Sequence, residues 1–241
     1  MVRKLSPERF DRMIETGLAH FLRKGYRRTR IDEVAADAGV SAGSIYNYCT
    51  SKEALFDLCL DRAFGRSKLP TVLPHDAHPT TNVIDQAWER FLFSTRSEVM
   101  VAVHEGRAAG CYTLVEIVEV LYDWIDANGK GIRLIERCAS EWPELASYFY
   151  VNFRRRGVSG LAKVVEAEME AGRAIAVGPP EVTARIIVEI CAYFAMHRRK
   201  DPDDMGYDND VIRATALDFI QLALRPGGRS VHAARPERAH P

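Results

Sequence analysis

The sequence predicts an all-α protein. Three observations support this. Apolar residues recur at helical spacing along most of the 241 residues, and the helical segments carry capping residues at their ends. No alternation of strands with helices is available to build a parallel sheet. The first element starts at Pro7, where Phe10, Met13, Ile14, Gly17, Leu18, Phe21 and Leu22 share one helical face. Ser6 is placed to cap it, Pro7 suits the first helical position, and Gly25 can take the left-handed conformation that ends it. In "TRIDEVAADAG", Thr29 is expected to cap a second helix, with Asp32 reaching back to it. Ile31, Val34, Ala35 and Ala38 form its apolar face, and Gly39 stops it. A third short helix is expected after Ser41. A fourth follows Thr50 or Ser51, where Thr50 and Glu53 are spaced as a capping box ahead of Ala54, Leu55, Leu58 and Cys59.

Gly39, Ser41 and Gly43 spell G-x-S-x-G, which is compatible with a hydrolase nucleophile elbow or with the turn and second helix of a helix-turn-helix. The elbow requires a buried strand entering the turn, so that the serine projects from a sheet edge. Here "RIDEVAAD" precedes Gly39, with helical period and three acids, so a nucleophilic Ser41 is disfavoured. The other reading fits. Two short helices flank "GVS", where Gly39 can adopt positive φ and Val40 can fill the space between them.

Residues 7–65 resemble the DNA-binding domain of the tetracycline-repressor (TetR) family of bacterial transcription regulators. The resemblance lies in "FLRKGYRRTRIDEVAADAGVSAGSIYNYCTSKEALF" and runs without gaps through three helices into a fourth. It rests on Phe21, Gly25, Tyr26, Thr29, Ile31, Ala35, Gly39-Val40-Ser41, Gly43, Ile45, Tyr46, Tyr48, Ser51-Lys52 and Leu55. Two positions depart from the family pattern. Cys49 replaces the usual phenylalanine at the end of the recognition helix, and Ala42 stands where many relatives carry a polar or basic residue. A recognition helix presents its N-terminal residues to base edges while its flanks meet phosphates. Ser41 caps that helix and can donate to phosphate, and Gly43 lets the backbone approach the bases. Ala42, Ser44 and Asn47 lie toward DNA, with Asn47 able to pair with adenine through two hydrogen bonds. The resemblance makes Thr29, Tyr46, Tyr48 and Lys52 backbone contacts; Tyr46 and Tyr48 also suit a partly buried aromatic role.

Charge agrees with a polyanion-binding end. Residues 1–30 carry nine Lys/Arg against three acids although the whole chain sums to zero; a solvated charged face would have the same composition. The five cysteines are scattered without a C-x-x-C pair and read as buried, reduced thiols. No apolar run approaches the roughly 20 residues that span a bilayer, and the N-terminus lacks a signal-peptide core, so a cytoplasmic protein without membrane association is expected.

The expected boundaries are a helix-turn-helix domain at 5–66, a connector at 67–81, a helical domain at 82–225 and an unstructured tail at 226–241. In the connector, His75 and His78 form an H-x-x-H pair, but with no carboxylate cluster beside it no metal is expected. Helix breaks are expected near Gly110, 129–131, Pro143, 178–180 and 201–206. The acidic stretch 201–210 lacks the spacing of a calcium loop. Two late segments, 180–199 and 209–224, carry more apolar surface than one helix pair can bury, which invites a partner; an intramolecular core is the alternative. The resemblance implies a homodimer through these helices, with Ile186, Ile187, Ile190, Phe194, Leu217 and Ile220 at the seam. It also implies an effector pocket among the central helices, for which Trp88, Phe91, Tyr122, Trp124, Tyr148 and Phe149 are the candidates. The function expected is that of a homodimeric repressor on a palindromic double-stranded DNA operator, released by a small-molecule effector and needing no cofactor. An effector-independent DNA-binding or architectural dimer is the alternative. No nucleotide-binding or metalloprotease motif supports an enzyme.

Overall fold

The computed structural model describes residues 6–65, 69–76, 97–175, 177–203 and 206–227. Among them there are helices and no strand beyond two isolated bridges, Cys49 with His75 and Ala109 with Tyr112. Helix α1 spans Pro7–Lys24. Ser6 Oγ accepts from the Arg9 N–H, and Gly25, at φ 84°, closes the helix by bonding Phe21 O at 2.9 Å. Its face of Phe10, Met13, Ile14, Leu18 and Phe21 is buried, as the spacing predicts.

Helix α2 spans Ile31–Asp37 and is not capped as expected. Arg30 occupies the cap position without a side-chain bond, and Asp32 pairs with Arg30. The Thr29 hydroxyl turns inward to donate to Gly25 O at 2.7 Å. That carbonyl belongs to the residue that ends α1, and the bond satisfies a hydroxyl removed from water. At the other end of α2, Gly39 (φ 68°) lets its own N–H reach Ala36 O and the Val40 N–H reach Ala35 O, a pair of bonds that ties off a helix C-terminus. Helix α3 spans Ala42–Ile45 and α4 spans Lys52–Ala63. Ser51 caps α4, accepting from the Ala54 N–H at 3.1 Å. The Thr50 member of the expected capping box is diverted, because its hydroxyl donates to the Asp76 carboxylate at 2.6 Å.

The later helices are α5 (Ser97–His104), α6 (Leu114–Ala139), α7 (Pro143–Ala146), α8 (Arg155–Glu170), α9 (Pro180–Ala192) and α10 (Asn209–Leu224). A wider π-helical stretch, Ser147–Arg154, joins α7 to α8, and another, Tyr193–His197, follows α9. Four of the five expected breaks fall between helices. The fifth, at 129–131, does not exist: α6 runs through it. A Cβ on Gly131 would lie 2.4 Å from the Phe64 ring, so this glycine admits an aromatic side chain instead of making a turn.

The described chain forms two compact units. One holds α1–α4, α6 from Asn128 onward and α7; the other holds α5, α6 through Ala127, and α8–α10. In the first, α1 packs against α4 and α2, and α2 against α3. Phe21 meets Phe56 edge to face at 5.3 Å, and Trp142 joins them 5.5 Å from Phe56. In the second, α8 packs against α9 and α5. Where α5 and α8 meet, a Cβ on Gly160 would sit 1.7 Å from the Val103 carbonyl oxygen, so the two backbones touch there.

Helices α9 and α10 have two apolar faces, and this corrects the expected seam. Ile187, Leu217 and Ile220 are buried within the protomer together with Cys191 and Leu224. Ile186, Phe194, Val211, Phe219 and Leu222 are exposed. Neighbouring residues on a helix point about 100° apart, so Ile186 and Ile187 cannot share one narrow seam. The cysteines need a smaller correction: four are buried, and Cys111 is exposed. Burial pushes the Cys49, Cys138 and Cys191 thiols up to about 12.

Two outcomes follow from this packing. Gly160→Ala should destabilise the protein by about 1–3 kcal/mol through overpacking, measurable as a drop in thermal midpoint of about 2–4 °C per kcal/mol. A thiol titration of the native protein with a coloured disulfide reagent should detect one fast-reacting cysteine, Cys111, and all five after denaturation. Two or more fast thiols would contradict the burial described.

Candidate nucleic-acid interface

The outward surface of α3 is built by its cap. Ser41 Oγ accepts from the Ser44 N–H at 3.2 Å and lies 2.8 Å from Ser44 Oγ, so both hydroxyls sit together at the start of the helix. Gly43 is exposed, and a Cβ there would find nothing nearer than Ser41 Oγ at 4.0 Å. Internal packing does not require glycine at 43; what its missing side chain leaves clear is the outer surface. Ile45 faces the core, fully buried, and holds the helix down, while Tyr46 (48% exposed) and Asn47 project outward. Ala42 is half-buried at the start of the turn.

Two expected contacts face inward. Thr29 is 1% exposed and its hydroxyl is engaged with Gly25 O, as described. Tyr48 is also buried: its ring lies 5.9 Å from that of Phe10, and its hydroxyl bonds the Ser6 backbone at 3.2 and 3.3 Å. It therefore joins the start of α1 to the segment after α3, which is the aromatic role the sequence also allowed.

Lys52 lies at a junction that sequence reasoning missed. Its ammonium sits 4.5 Å above the centre of the Tyr26 ring and donates to Arg27 O at 3.3 Å. Burial lowers the affinity of this amine for its proton, a trend that nearby acids, Glu53 and Glu141 among them, oppose. Tyr26 donates to Glu53 Oε1 at 2.5 Å and packs against Trp142, with the ring centres 4.6 Å apart and the planes tilted by 34°. Burial works against the charge on Glu53, but hydrogen bonds led by that from Tyr26 hold its carboxyl below the usual range. Glu141 accepts from the Arg27 N–H at 2.7 Å and pairs with Arg137. The Glu141 and Trp142 partners stand more than a hundred residues from the loop they hold, and no local signal marks them.

The basic N-terminal segment is partly neutralised. Lys24 pairs with Glu33 at 2.8 Å and Arg30 with Asp32 at 3.0 Å, while Arg27 and Arg28 are exposed beside Lys52's loop. Arg3 and Lys4 lie outside the described residues, as do His78 and the candidate pocket residues Trp88 and Phe91. Of the other pocket candidates, Tyr148 and Phe149 are buried in the first unit, and Tyr122 and Trp124 in the second. His75 contacts Asp57 in α4 at 2.7 Å. Among the described residues no group of three His, Cys, Asp or Glu is arranged to hold a metal ion, and no helix is long and apolar enough to cross a membrane.

Short helices α2 and α3 joined through Gly39-Val40-Ser41, with a clear outer surface on α3, define a helix-turn-helix motif. Residues 13–59 match the family described as bacterial regulatory proteins, tetR family. Over 60 residues, a quarter of this chain, the sequence is 42% identical to the uncharacterized HTH-type transcriptional regulator YerO of Bacillus subtilis, but the match spans only 21% of that protein's length. Across the fold, a tetR-family regulatory protein from Rhodococcus RHA1 superposes with a TM-score of 0.51 at 18% identity, covering 92% of this chain and all of that one. A second, described as a putative TetR-family regulator from Rhodococcus sp., gives 0.50 at 14% identity over 90% of this chain and 98% of its own. Residues 13–59 are thus similar to the tetR family's helix-turn-helix segment, and over the rest of the chain the likeness to the two solved structures is one of fold.

Proposed function

We propose that the protein is a homodimeric repressor that binds a palindromic operator through α3 and is released by a small molecule. The observation that carries the DNA half is the outer surface of α3: Ser41, Ser44, Tyr46 and Asn47 around an unobstructed Gly43, with Lys52 following at the start of α4 and its ammonium held over Tyr26. Asn47 reads a base edge, and the hydroxyls and Lys52 meet phosphates. Thr29 and Tyr48 serve this surface from beneath, by fixing the loop before α2 and the segment after α3.

The dimer half is supported by the outward face of α9 and α10. Ile190, Phe194, Val211, Ile212, Thr215 and Phe219 border an apolar groove of about 450 Å³. Phe219 is 64% exposed at its edge. A second copy of the same face, related by a two-fold axis, would bury the projecting phenylalanine and remove the patch from water. The effector half is supported by a cavity of about 540 Å³ within the second unit, a volume in the range of small-molecule sites. Its apolar wall includes Leu114, Val118 and Leu224, and Glu168, Arg173 and Asp218 supply polar groups. That combination suits an amphipathic ligand.

Binding of the protein to duplexes from the DNA upstream of its own gene, measured across a salt series, tests the reading. Lys52→Ala should weaken all duplexes alike and lower the salt slope by about one unit. Asn47→Ala should cost about 1–3 kcal/mol on the best site and relax preference at particular bases. Wild-type affinity for that site in both variants would refute the assignment. For the dimer, Phe219→Lys should sediment as a folded monomer with lost operator affinity, whereas Ile220→Lys should unfold the protomer, because it buries a charge inside it. A dimeric Phe219→Lys protein would place the interface elsewhere.

A further inference from the structure

The histidine of the connector has a second kind of partner besides Asp57. Helix α3 completes only one turn, Ala42–Ile45, before its ladder gives way to tight turns at Tyr46, Asn47 and Tyr48. Past this point the backbone needs other partners, and residue 75 supplies two. The His75 N–H donates to Tyr48 O at 2.7 Å, and the Thr50 N–H donates to His75 O at 2.9 Å. Beside these bonds, the Thr50 hydroxyl donates to Asp76 Oδ1. The His75 ring is anchored in turn, with Nε2 2.7 Å from Oδ2 of Asp57, whose side chain is 2% exposed. Asp57 sits in the middle of the buried run 54–60 of α4, where a carboxylate is costly unless it is hydrogen-bonded.

We propose that His75 is a positioning residue for DNA recognition: pinned to α4 through Asp57, it clamps the backbone on either side of Cys49 and so fixes where Tyr46 and Asn47 project. The clamp begins one residue after Asn47. Loosening it leaves the side chains of the reading surface intact but lets them wander, and base readout tolerates misplacement of only about half an ångström. Contact with phosphates, spread along the backbone, is far more forgiving. The small Cys49 side chain fits this arrangement, since it is fully buried where its backbone bridges to His75, and its thiol is turned back to Ile45 O at 3.6 Å. The inference rests on α3 being the element that reads DNA.

The test uses the full-length protein, with anisotropy on operator and random duplexes at several salt concentrations and hydrogen exchange at Thr50. His75→Ala should lose about tenfold in operator affinity, the scale of one lost buried hydrogen bond. It should keep its random-duplex affinity and salt slope, while the Thr50 amide exchanges faster. His75→Gln, whose side-chain amide can donate to Asp57, should recover most of the loss. Should His75→Ala fail to fold, Thr50→Val at an exposed position removes only the bond to Asp76 and should cost operator affinity about threefold, with random binding unchanged. Wild-type operator affinity in the variant tested, or an equal fall on both duplexes, overturns the clamp. A wild-type protein that prefers no operator over random DNA overturns the reading of α3 itself, a failure visible before any variant is made.

Discussion

Phe21 on α1 and Phe56 on α4 meet edge to face, and the unit carrying α3 is organised around that contact. The two helices can approach closely because Gly17 presents no side chain: a Cβ there would lie 3.0 Å from Cys59 Sγ. Their packing makes a rigid floor on which α2 and α3 rest through Val34, Ala35 and Ile45, all essentially removed from water. A group of short helices this small buries too little surface to tolerate a poorly filled centre. The aromatic pair fills it and also forms one side of the socket for Tyr26 and Trp142.

Around that socket, charge and packing are joined. Tyr26 packs against Trp142 and is covered by the Lys52 ammonium, while its hydroxyl is held by Glu53. Glu141 secures the next backbone N–H in the chain. The loop after α1 and the start of α4 are therefore fixed by residues next to the end of α6. Helix α6 contributes residues to both compact units, up to Ala127 in one and from Asn128 in the other.

In the second unit the limiting contact is backbone on backbone at Gly160 and Val103. It places α8 close to α5, and α9 then packs on α8 with Ala184, Ile187 and Cys191 turned inward. The remaining faces of α9 and α10 carry Ile186, Phe194 and Phe219 to the surface, and Arg213 with Asp123 and Arg199 with Asp126 tie this layer to α6.

Local features were legible in the sequence because their causes lie within a turn or two of chain. The apolar stripe of α1, the caps at Ser6 and Ser41, and the stops at Gly25 and Gly39 follow from side-chain spacing and backbone sterics, and together they define the helix-turn-helix. Tertiary structure decided what depends on which distant group comes near. Thr29 turned inward because Gly25 O was the available acceptor, and Thr50 gave up its cap because Asp76 was in reach. Gly131, which reads as a break, stayed helical because Phe64 needed its space. Asp57, a charge within a buried helical run, hinted at a partner, but its identity as His75 had no local mark. The two-sidedness of α9 and α10 was equally hidden, since periodicity reveals that an apolar stripe is wide and cannot tell which edge faces the protomer's own core. Hydrogen bonds and close contacts reach only a few ångströms, so those choices belong to the fold.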